Sequence, residues 1–171
     1  YRGVNKGETH REPMPTRLIQ QAMNILTEND FAWVREVGRH KDTFRWENPE
    51  TGKFATIWSP VRAYALLAKL ILPARTYQVR HLDSGEGDSL RYSVGAQWEL
   101  NAGPRAPSQA GVERGVFRQY KRKDGSLGAV LYFNTNKTGD IDKERDDFGY
   151  VMPWEKRDAL ELFARLRDWQ E

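Results

Sequence analysis

The sequence predicts an α+β fold in which two antiparallel sheets are each followed by a helix. Three observations carry that expectation. "FATIWSPVRAYALLAKL" (54–70) and "FGYVMPWEKRDALELFARL" (148–166) repeat one pattern of strand, proline turn and amphipathic helix, pairing Phe54 with Phe148, Ile57 with Val151, Ala65 with Ala159 and Leu66 with Leu160. Short β-rich runs precede both units. Ahead of the second, "GVFRQYKRKDGSLGAVLYF" (115–133) sets a basic strand against an apolar one across Asp124-Gly125, the composition of a hairpin turn.

The elements follow in order. Residues 1–16 are polar, contain Pro13 and Pro15 and read as an extended N-terminal arm, which leaves 17–171 as a single domain. The chain starts at Tyr1 rather than methionine, as a processed product would. Arg17–Glu28 fits a helix on propensity, or a strand entering a hairpin through Thr27–Asp30; Phe31–Val34 reads as a strand ended before Gly38. Phe44–Glu47 and Lys53–Trp58 read as strands joined by the turn-forming run Asn48–Gly52. Ser59 suits an N-cap and Pro60 the first helical position. Ala63, Leu66, Leu67 and Leu70 then recur at helical spacing over Val61–Leu72, and Pro73 stops the helix. Thr76–Leu82 and Leu90–Leu100 read as strands around the acidic, glycine-rich turn Asp83–Asp88. Asn101–Glu113 and Lys137–Asp147 read as loops, before a last strand and the C-terminal helix.

At 171 residues the chain can bury a continuous core. No apolar run approaches the ~20 residues that cross a bilayer, so no membrane partner is expected. The absence of cysteine excludes disulfides and thiolate catalysis and leans towards an intracellular setting. His10, His40 and His81 lack metal-ligand spacing, and no cofactor is expected. The net charge of +3 is segregated: Arg114, Arg118, Lys121, Arg122 and Lys123 crowd ten residues that hold no acid, whereas Asp140–Asp147 holds five acids. A segregated cationic strand is a footprint for polyanions.

The hairpin register decides which face carries that charge. A two-residue turn would place Arg118, Tyr120 and Arg122 beside Leu127, Ala129 and Leu131. A three-residue loop, Lys123-Asp124-Gly125, puts Gly125 in the left-handed position and gathers Phe117, Leu127, Ala129, Leu131 and Phe133 on a core face. The second register avoids burying unpaired charge. Its other face collects Val116, Arg118, Tyr120, Arg122, Gly128, Val130 and Tyr132, a mixture suited to phosphates and stacked bases. Arg118, Tyr120, Arg122 and Lys121 are the first nucleic-acid-binding candidates, Lys121 from the strand's opposite side. Arg80, Arg91, Tyr92 and Tyr132 are the second set, and Gly128 would admit a base. Trp46, Trp58, Trp98 and Trp154 read as core or interface anchors.

"FRWE" (44–47), the strand Phe54–Trp58 and the helix after it resemble the signature of the Whirly-type family of single-stranded nucleic-acid-binding proteins. "DGSLGAVLYFNTN" resembles that family's late glycine-rich strand, and "YVMPWEKRDALELFARL" its closing strand, turn and helix. The resemblance, which spans roughly residues 31–166 and includes plant Whirly and kinetoplastid guide-RNA-binding proteins, implies two four-stranded sheets and a tetramer on single-stranded RNA or DNA. By resemblance alone it also implies a mitochondrial location, with another organelle or the nucleus as alternatives. The plant family's Lys-Gly-Lys-Ala-Ala-Leu stretch is absent, which favours RNA.

Enzyme motifs do not emerge. There is no Gly-x-Ser-x-Gly element, phosphate-cradling glycine loop or dinucleotide fingerprint. The acids of 140–147 lack the central glycine and closing glutamate of a calcium loop. The expectation is therefore a non-enzymatic protein that binds single-stranded nucleic acid, RNA before DNA, in organellar RNA processing or annealing, as a homo- or hetero-oligomer. The alternatives are a structural subunit of a large ribonucleoprotein such as a mitochondrial ribosome, and a metal-dependent nuclease.

Overall fold

A computed structural model describes residues 13–95, 97–103, 105–106, 113–134 and 149–170. The expected arm (1–16) and acidic loop (140–147) therefore lie largely or wholly outside the described residues. Helices α1 (Thr16–Thr27) and α2 (Ala32–Gly38) precede a hairpin of β1 (Thr43–Glu47) and β2 (Phe54–Trp58). Then come α3 (Val61–Ile71), α4 (Thr76–Arg80) and a second hairpin, β3 (Leu90–Ser93) with β4 (Gln97–Leu100). Strands β5 (Phe117–Lys121), β6 (Leu127–Phe133) and β7 (Tyr150–Val151) form a third sheet, and α5 (Arg157–Gln170) closes the chain. The fold is α+β with small antiparallel sheets: two of two strands and one of three, in the order β5-β6-β7, among the described residues. Among the described residues, the two four-stranded sheets that the resemblance implied are not formed.

Two expected strands are helical, each for a local reason. Asn29, Asp30 and Phe31 all have positive φ, and this left-handed run turns the chain from α1 into α2. Asn and Asp tolerate that region; Phe31 is held in it with its ring 5.8 Å from that of Trp58 and 5.4 Å from that of Tyr64. Phe31–Val34 thus becomes the entry to α2. Thr76–Leu82 carries β-forming Tyr and Val, yet the Gln78 side-chain oxygen accepts the N–H of Arg75 at 3.0 Å and caps the single turn of α4. Burial of Gln78 wins over propensity here. Leu90–Leu100 is a hairpin rather than one strand, bent around Gly95 at positive φ.

The core lies between the β5-β6-β7 sheet and a pair of helices. Phe117, Ala129, Leu131 and Phe133 face Ala159, Leu160, Phe163 and Ala164 of α5, with Ala68 from α3, Leu72 just after it and Tyr92 from β3. The alanines at 68, 129, 159 and 164 are fully buried, which lets helix and sheet backbones approach closely. α3 and α5 echo each other as the sequence repeat anticipated. Their buried positions, however, match Ala63, Leu67 and Ala68 to Ala159, Phe163 and Ala164, two residues out of the alignment that pairs Ala65 with Ala159.

Candidate functional site

The basic hairpin has the three-residue loop. The Arg122 N–H donates to Ser126 O, Gly125 has φ of 86°, and Phe117 pairs with Leu131 and Tyr120 with Gly128. The face expected to be open is largely covered. β6 is buried on both sides from Gly128 to Phe133, so Val130 and Tyr132 are interior residues. What approaches Gly128 is the ring of Tyr120, close enough that a Cβ there would sit 2.4 Å from its Cε1.

Most of the candidate cations are engaged. Arg122 donates to both carboxylate oxygens of Glu155, at 2.7 and 3.0 Å, and the Tyr120 hydroxyl donates to the same group at 3.0 Å. Arg118 donates to the carbonyls of Gly115 and Phe117 and lies over the Tyr132 ring. Arg91 pairs with Asp168 at 2.7 Å. Tyr92 is 2% exposed, wedged between Trp98 and Phe117. Arg80 and Lys121 are exposed and form no ion pair among the described residues. Of the tryptophans read as anchors, Trp98 is partly buried and donates to Gly128 O at 3.2 Å, whereas Trp154 is 52% exposed.

The Arg122–Glu155 pair fastens the hairpin to the turn before α5. Arg122, then burial and Tyr120, act on Glu155, and the net effect holds its carboxyl below the ordinary glutamate pKa. Such a group stabilises the fold above its unfolded pKa and loses that contribution as pH falls through the lowered folded value. Glu155→Gln is therefore expected to lower the melting temperature at neutral pH. The gap from the parent should shrink as the pH is taken below the glutamate range; a constant gap in melts across pH 3–7 would contradict the assignment.

A second cluster surrounds α4, and sequence reasoning found only Tyr77 and Arg80 of it, on what it read as a strand. The Lys69 ammonium, at the end of α3, donates to the Thr76 hydroxyl at 2.5 Å, which brings it to the residue after Arg75. Lys69, Arg75, Tyr77 and Arg80 are exposed. Tyr77 packs on His81 with ring centres 4.4 Å apart. Asn134, at the end of β6, donates to His81 O at 2.5 Å, and Gln78 donates to the Tyr150 hydroxyl of β7 at 3.2 Å. Among the described residues no acid pairs with Lys69, Arg75 or Arg80. These three cations stand singly in the sequence, Lys69 and Arg80 on helices and Arg75 in the turn after Pro73, so no charge run marks them.

The comparison with known families decides the class. The family model Integrase_2, described as "Putative integrase", matches residues 1–171. The chain belongs to this integrase family. No curated protein and no solved structure matches it. Membership overturns the Whirly assignment and, with it, the RNA-binding and RNA-processing readings that rested on that resemblance. It also overturns the non-enzymatic reading, because an integrase is a DNA-recombining enzyme, and neither the ribonucleoprotein subunit nor the metal-dependent nuclease fits better. Nucleic acid remains the partner, now as DNA. Among the described residues no group of three or more metal-ligating side chains gathers, and no helix is long and apolar enough to cross a membrane.

Proposed function

We propose that this chain acts in DNA integration and that the α3–α4 corner, with Lys69, Arg75 and Arg80, contacts the DNA backbone. The observation that carries the reading is the contrast between two cationic surfaces. The hairpin arginines 118 and 122 are spent on carbonyls and Glu155, whereas the cations about α4 are exposed with no acidic partner among the described residues. A guanidinium presents a fork that matches two phosphate oxygens, and a lysine adds a mobile point charge. Where a phosphodiester is broken and rejoined, such groups offset the charge that develops on its oxygens. His81 and Tyr77 add ring surface beside them. Lys121, exposed at the far end of the hairpin, is a peripheral contact in this reading.

Binding of a labelled DNA duplex across a salt series tests it. Each phosphate contact contributes about 0.9 to the slope of log Kobs against log salt. Lys69→Ala and Arg75→Ala are each expected to reduce the slope by about that amount, while Arg122→Ala changes stability and leaves the slope alone. The opposite pattern would return the DNA surface to the hairpin.

A further inference from the structure

We propose that Gln78 is a positioning residue that holds Arg75 in place for DNA, with Tyr150 of β7 as its anchor. The inference rests on the reading of the α3–α4 corner given above. Gln78 is 8% exposed, and a buried amide is costly unless its polar atoms are bonded. Its oxygen accepts the Arg75 N–H at 3.0 Å, and its nitrogen donates to the Tyr150 hydroxyl at 3.2 Å. The Tyr150 ring in turn stacks on Phe133, at 5.3 Å between centroids and 20° between planes, and Phe133 is fully buried.

An unbroken series of contacts therefore runs from the core, through β7, to the main chain of an exposed arginine. Arg75 needs such a tether. It sits in extended backbone (φ −75°, ψ 152°) between Pro73 and a five-residue helix, where its carbonyl accepts the Val79 N–H at 3.1 Å and its own N–H goes to Gln78. A guanidinium recognises phosphate through a fork, and that advantage over a mobile charge exists only where the fork is held in one orientation. Both ends of the buried amide are thus satisfied, one by the main chain of an exposed cation and the other by β7.

The test is a double-mutant cycle on duplex affinity. Gln78→Met keeps the volume and deletes both bonds; it should weaken binding roughly fivefold, a modest coupling for residues that share a bond. In an Arg75→Ala background the same change should alter affinity by less than about twofold, since the residue it positions is gone. An unchanged affinity in the parental background, or an equal loss in both, overturns the proposal and leaves Gln78 a packing residue. If Gln78→Met does not fold, Tyr150→Phe decides in its place. Tyr150 is 41% exposed and the change deletes one hydroxyl. A smaller loss that vanishes with Arg75→Ala supports the proposal; no loss, or one that persists, overturns it. If Arg75→Ala itself binds DNA like the parent, the DNA-contact reading fails first, and that result is distinct from a failed coupling.

Discussion

Replacing Asp88 with alanine is expected to cost about 2–4 kcal/mol and to loosen the start of β5. Asp88 is 5% exposed, and its carboxylate accepts the N–H groups of Arg114 (2.7 Å) and Gly115 (2.9 and 3.1 Å). Gly115 is itself buried, so its donor would lose its partner where water cannot easily replace it; such orphans cost about 1–3 kcal/mol each. The fit leaves no slack, because a Cβ on Gly115 would lie 2.5 Å from the Gly85 Cα. Burial, opposed by those backbone donors, raises the Asp88 pKa above the usual aspartate value. The unfolded chain therefore ionises first as pH rises. This group's contribution is greatest below the unfolded pKa and declines as pH climbs through the folded one. Asp88→Asn, which keeps an acceptor and has no charge to desolvate, should lose less than alanine and show a flatter stability profile above pH 4. Denaturant melts at several pH values check both statements, and an alanine variant as stable as the parent would remove Asp88 as the clasp.

Phe133→Ala is expected to cost about 3–5 kcal/mol, as for other fully buried aromatic truncations. Phe133 has no solvent exposure and belongs to the cluster with Leu131, Met152 and Leu160. The loss should appear as a lower denaturation midpoint at unchanged m, the mark of a stability change rather than a change in compactness. The variant also removes the platform under Tyr150, so the folded fraction should bind duplex DNA more weakly. A variant that is destabilised yet binds as tightly would separate the core from the α4 cluster.

Much of the local structure was legible in the sequence, and the reasons are specific. The helix at 61–71 announced itself through apolar spacing and the prolines at both ends. The β1–β2 and β5–β6 hairpins followed from turn residues, and burial logic picked the correct loop around Gly125. What defeated prediction was tertiary. β6 reads as one side of an open sheet, but Val130 and Tyr132 on its expected open face are buried as well. Glu155 lies 33 residues along the chain from Arg122, and no periodicity shows that the pair will meet. The density of charge at 114–123 pointed to a hairpin in which Arg118 and Arg122 are engaged internally while Lys121 stays exposed. The exposed cations at 69 and 75 depend on a proline turn and a buried glutamine to bring them together. Short aromatic and glycine motifs fitted a family to which the chain does not belong.

The double-sided burial of β6 also sets how the molecule opens. β6 pairs with β5 over Leu127–Leu131 and with β7 at Tyr132 and Phe133 beneath buried side chains, so its amides are expected to be among the last to exchange with solvent. The β1–β2 ribbon, with Phe44, Trp46 and Phe54 exposed, has less holding it and is expected to open at smaller cost. α4, one turn at the surface, lies between these extremes. Protection gained there on adding DNA would thus stand out against a β6 already too slow to change, and the least stable turn becomes the most informative place to watch the protein bind.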